Sequence, residues 1–87
     1  MYLHLGLDKS VKKEEIIGFF DLDNTTVQKS TRDFLAKAEK NGLVENVCTD
    51  LPKSFAVCEK DGKSKIYITQ ISTSTLYKRF KSKSWIE

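Results

Sequence analysis

Residues 54–71 read SFAVCEKDGKSKIYITQI. From Ser54 to Glu59 the side chains alternate, with Phe55 and Val57 on one face and Ala56 and Cys58 on the other. Lys60-Asp61-Gly62-Lys63 then signals a two-residue turn, because Asp-Gly accepts positive φ angles. Lys65 to Ile71 returns as the second strand, with Ile66 and Ile68 sharing a face. A hairpin here makes the sheet largely antiparallel.

Upstream, Tyr2 to Leu5 also alternates and puts Leu3 and Leu5 on one face. Gly6 to Ser10 reads as a turn, and Val11 leads into the charged patch Lys12-Lys13-Glu14-Glu15. Ile16 to Phe20 is apolar on both faces, the pattern of a strand that is internal or covered on its second side. Gly18 inside it marks a bulge or a close backbone approach at a subunit contact.

Thr25 and Gln28 have the spacing of a helical capping box. Val27, Thr31, Phe34, Leu35 and Ala38 form the stripe of an amphipathic helix, and Asn41-Gly42 supplies its stop. Leu43 to Val47 is a further short strand, and the break at residues 50–53 contains Pro52. Ser72 or Thr73 caps a last short helix through about Phe80, docked by Leu76 and Phe80. The order ββαβββα predicts one small α+β domain over residues 1–80, with a basic tail over 81–87.

Composition narrows the function. An apolar share of 39% in 87 residues gives a modest core, so self-association is an expected source of extra stability. No signal peptide or membrane span is visible, and cytoplasmic location is the default expectation. Residues 1–59 carry a net charge of −2 and residues 60–87 a net charge of +5. A locally basic end of this kind suits nucleic acid or another anionic surface.

The octet Phe19-Phe20-Asp21-Leu22-Asp23-Asn24-Thr25-Thr26 resembles the start of the nucleophile loop in haloacid-dehalogenase-type phosphatases. In that reading Asp21 attacks phosphorus, Asp23 is general acid and base, Thr25 orients the phosphoryl group and Mg²⁺ neutralises charge. Those enzymes use a doubly wound parallel sheet, and this chain turns to hairpin signals instead. The phosphatase is therefore a remote alternative. The competing reading is a strand end followed by a capped helix.

Cys48 and Cys58 lie on separate predicted strands and His4 is the single histidine, so no zinc spacing arises and buried free thiols are expected. Gly6, Gly18, Gly42 and Gly62 are isolated and form no phosphate loop. The sequence calls for no cofactor, no metal and no evident small-molecule substrate. Cations interleave with aromatics in Tyr77-Lys78-Arg79-Phe80-Lys81-Ser82-Lys83-Ser84-Trp85. Lysine and arginine neutralise phosphates while aromatics pack or stack.

The segments MYLHLG, IIGFFDLDNTTV, TRDFLAKAEKNG, DLPKSFAVCEKDG and STLYKR, in this order, resemble RemB-type members of the RemA/RemB family. These are small bacterial regulators of extracellular-matrix (biofilm) genes. The resemblance spans residues 1 to about 80. It implies a non-enzymatic α/β subunit that assembles into a ring, which in the RemA branch binds DNA as a transcriptional activator through surface arginines. The expected partners are AT-rich promoter DNA and further copies of the chain. The expected nucleic-acid-binding residues are Lys29, Arg32, Lys53, Lys78, Arg79 and Lys81. The RemA-branch arginine positions fall here near Glu15, and at Pro52 and Lys53. Lys53 keeps a cation without an arginine's bidentate phosphate contact. An oligomeric protein-interaction scaffold without DNA is the alternative.

Overall fold

The Asp61-Gly62 turn closes as its chemistry requires. Asp61 has φ 54° and Gly62 φ 79°, and Lys60 pairs directly with Lys63. Two positive φ values match the right-handed twist of the strands they join. The computed structural model describes residues 2–7, 9–22, 29–48 and 51–81. The Thr25–Gln28 capping box, Val27, Asp23, Asn24, Asp50 and the tail at 82–87 lie outside these.

The chain is α+β. In order it forms β1 (Tyr2–Gly6), β2 (Lys9–Lys12), a 3₁₀ turn (Lys13–Glu15), β3 (Ile16–Asp21) and α1 (Lys29–Lys40). Then come β4 (Val44–Asn46), β5 (Ser54–Lys60), β6 (Lys63–Thr69) and α2 (Thr73–Lys81). β1 and β2 form an antiparallel ribbon, and the main sheet has the order β3-β5-β6-β4. β4 runs parallel to β6, while the other pairs are antiparallel.

The helix–turn–strand expectation receives one addition. Lys9–Lys12, which reads as turn and charged patch, is a strand, because Val11 pairs with Leu3 and buries beside it. A single apolar side chain among polar neighbours carries too little periodicity to announce a strand. The pairing partner decides it.

Two cores lie on the two faces of the main sheet. Ala56, Cys58, Tyr67 and Phe19 face β1, β2 and α2, meeting Leu3, Leu5, Val11 and Leu76. Phe55, Val57 and Ile66 face α1 through Ala38, with Leu35 and Leu43 packed against them. The alternation of β5 thus feeds both layers, and α1 and α2 lie on opposite faces.

Local chemistry ends each element. α1 stops in a Schellman motif: Leu43 N donates to Ala38 O at 2.9 Å and Gly42 N to Glu39 O at 3.0 Å, with Gly42 at φ 72°. α2 is capped by Ser72, whose Oγ accepts from Thr75 N at 3.3 Å. Thr69, fully buried, donates its hydroxyl to Leu5 O and accepts from Ile71 N at 3.1 Å, which joins the ribbon to the main sheet. Ser54, equally buried, donates to Ile71 O at 2.6 Å.

One expectation about β3 is met differently. The strand bulges between Ile16 and Gly18, as Gly18 suggested, but it lies at the edge of the sheet. Ile17 remains 62% exposed and Phe20 45% exposed, so the second side expected to be covered is open in the single chain.

Candidate functional site

The six expected cation sites are distributed over both faces of the sheet. Lys29 and Arg32 are exposed on the first turns of α1. Lys53 is exposed where the chain enters β5; its N–H donates to Thr69 O at 2.9 Å and its carbonyl accepts from Leu22 N at 2.8 Å. That backbone clamp fixes the Cα from which the side chain projects. Lys78 and Lys81 are exposed on the last turn of α2, across the sheet from α1.

Arg79 also makes contacts within the fold. Its guanidinium donates to His4 O at 3.3 Å, and its own carbonyl accepts from Lys13 Nζ at 3.0 Å. The residue ties α2 to β1, and Lys13 adds positive charge where the helix dipole is negative. His4 is half-buried, with Nε2 2.8 Å from Leu7 O. The aromatics beside these cations are partly structural. Tyr77 and Phe80 meet Phe19 edge-on, at centroid distances of 5.1 and 5.9 Å.

A third basic region is formed by residues that periodicity assigns only to turns and strand ends. Lys9 on β2, Lys60 and Lys63 beside the hairpin turn, and Lys65 on β6 border a groove of about 470 Å³. Lys9 Nζ lies 5.1 Å from the centroid of the Tyr67 ring, a cation–π contact. Glu15 is 4.0 Å from Lys60, and Glu45 is 3.6 Å from Lys65. Both pairs are partly solvent-exposed and contribute at most about 1 kcal/mol each. In the sequence, Lys60, Lys63 and Lys65 are visible as a run, but nothing there brings Lys9 to them.

An apolar groove of about 300 Å³ runs along the opposite face, between β3 and α1, lined by Ile17, Phe20, Ser30, Phe34, Phe55 and Val57. Phe20 stacks on Phe55 with centroids 5.1 Å apart. Phe34, expected in the buried stripe of α1, is 47% exposed and forms the groove's rim. Among the described residues no strand lies beside the outer edge of β3.

Asp21, the nucleophile of the phosphatase reading, sits exposed at the end of this edge strand, while Asp23 and Thr25 lie outside the described residues. Among the described residues no group of three or more His, Cys, Asp or Glu is placed to hold a metal ion. Both cysteines are free, Cys58 buried and Cys48 partly so. Burial, with the Glu15 carboxylate adding to it and Lys9 opposing, pushes the Cys58 thiol up to about 11. Cys58 is therefore a neutral packing group near neutral pH, and a poor nucleophile. No helix among the described residues is long and apolar enough to cross a membrane.

Along 79 residues, 91% of this chain and 89% of its relative, the sequence is 37% identical to the extracellular matrix regulatory protein B of Bacillus subtilis (strain 168). The chain belongs to the RemB-type family. No protein-family model matches it. The similarity to the RemB-type protein covers nearly the whole chain.

Proposed function

We propose that this RemB-type chain is a non-enzymatic regulator of matrix genes that assembles into a ring and binds promoter DNA in the cytoplasm. The observation that carries this reading is the 37% identity over 91% of the chain to a protein named as an extracellular matrix regulator. The β3 edge and the Ile17–Phe20–Phe34 groove support self-association, since exposed apolar surface on an unpaired edge favours covering by another chain. Lys29, Arg32, Lys53, Lys78 and Lys81 support contact with phosphates, because all five are exposed. Each copy offers only a few cations, at separate places. A symmetric array repeats them along a duplex, and binding then follows backbone charge and deformability more than base edges.

The test is retardation of AT-rich promoter DNA across a salt series, with solution mass measured at the same protein concentration. A defined oligomer whose affinity falls steeply with salt is the expected result. No retardation at low salt overturns DNA binding, and a clean monomer at micromolar concentration overturns the ring.

A second reading, an oligomeric scaffold without DNA, is favoured by one observation. Glu15, near a RemA-branch arginine position, is paired with Lys60, and Pro52 offers no charge at another. An oligomer that retards no DNA selects it. Phosphate release with Mg²⁺ that is lost in Asp21→Asn would restore the enzyme alternative.

A further inference from the structure

The groove bordered by Lys9, Lys60, Lys63 and Lys65 lies apart from the six cation positions assigned to DNA. Its volume of about 470 Å³ falls within the range of small-molecule sites, roughly 300–1,000 Å³. We propose that it binds a small, soluble phosphate ester carrying a di- or triphosphate, of nucleotide size, as an effector of the regulator.

Convergence is the first ground. The four lysines come from β2, the hairpin and β6, separated by some fifty residues of sequence, and β1–β2 packing on the main sheet brings Lys9 over to the others. The second ground is how the cations are committed. Among the described residues, Lys60 and Lys65 have carboxylate partners, and Lys9 and Lys63 have none. Two cations without carboxylate partners, Lys9 over the Tyr67 ring and Lys63, match two phosphoryl groups, and the two partly exposed pairs release their lysines at little cost. Lysine heads on flexible stems adapt to phosphate as point charges.

The third ground separates a small ligand from a duplex. Glu15, Glu45 and Asp61 interrupt the lysines around the rim, so a continuous phosphate backbone meets repulsion where a single ligand avoids it. Lys9 also lies low, against the ring of the buried Tyr67, within the groove wall. A smaller groove of about 240 Å³ shares Lys9, Glu15, Lys60 and Tyr67 and extends past Ser10 and Lys12, giving room for the non-phosphate part.

The experiment is calorimetric titration of the full chain with pyrophosphate and with ADP, at ionic strength fixed by sodium chloride. Saturable binding of at least one probe, with a Kd near or below about 1 mM, is expected. Lys9→Met with Lys63→Met should weaken it at least tenfold, and Lys63→Glu alone, at an exposed position, should weaken it with the fold intact. Lys53→Ala and Lys78→Ala should leave it unchanged. Absence of saturable heat with both probes overturns the proposal, as does equal weakening by Lys78→Ala. If the double variant abolishes DNA retardation while neither probe binds, the groove belongs to the duplex and the proposal is wrong. Retained DNA retardation in a double variant that no longer binds the probes is the result that supports it.

Discussion

The Arg79 guanidinium reaches the His4 carbonyl at 3.3 Å, across 75 positions of sequence. One side chain thereby holds the last helix to the first strand, while Lys13 grips the same residue's carbonyl. A cation expected at a DNA contact therefore also holds the fold together.

Arg79→Ala should lower stability by about 1 kcal/mol, the usual cost of a lost part-buried hydrogen bond with some packing. Lys78→Ala, exposed and next in sequence, should stay within about 0.5 kcal/mol of the parent. Urea unfolding of both variants measures the contrast. Equal stabilities would mean that the contact to His4 does not anchor α2.

Gly6 has φ 143°, and a Cβ added there would lie 2.3 Å from the backbone oxygen of Val47. Backbone cannot retreat as a flexible side chain does. Gly6→Ala should cost more than about 2 kcal/mol, or prevent folding, while Gly42→Ala, with open space around it, should cost only its positive φ, about 1 kcal/mol. Thermal melts of the two variants give the comparison.

Ile17→Lys places a charge on the outer edge of β3. Because Ile17 is 62% exposed, the single-chain fold should lose less than about 1 kcal/mol. Self-association should fall sharply, read by light scattering at matched concentrations. An unchanged oligomer would place the contact elsewhere.

Cys58 makes stability depend on pH in a defined direction. The unfolded thiol releases its proton near its ordinary pKa of about 8.5. The folded one holds its proton up to about 11. Between these values the unfolded chain binds fewer protons, so stability falls as pH rises. Cys58→Ala should flatten that part of the profile, whatever it does to stability at neutral pH. Thiol labelling adds an independent check: Cys48 should react well before Cys58 in the folded protein.

The hairpin was legible because its turn is chemical: Asp61-Gly62 has few alternatives. The same holds for the Asn41-Gly42 stop and for the facing of Leu3 and Leu5. β2 was not, since only Val11 carries its apolar signal and the partner that pairs with it is β1. The apolar run at Ile16–Phe20 announced burial on two sides, whereas one side is left open at the sheet edge, a distinction that lies outside a single chain's periodicity. Of the cations, Lys29, Arg32, Lys53, Lys78 and Lys81 are exposed as their composition suggests. The tether at Arg79 and the approach of Lys9 to Tyr67 depend on tertiary packing, which spacing along the chain does not encode.

β3 has no lysine and no proline to guard its outer edge. Under the proposed self-association, such a strand makes the behaviour of each molecule depend on how many others are made. The edge would be free of other copies at low abundance and covered by them at high abundance. Gene dosage would then act as a control in its own right, because occupancy of that edge would rise with copy number while every individual chain stays the same.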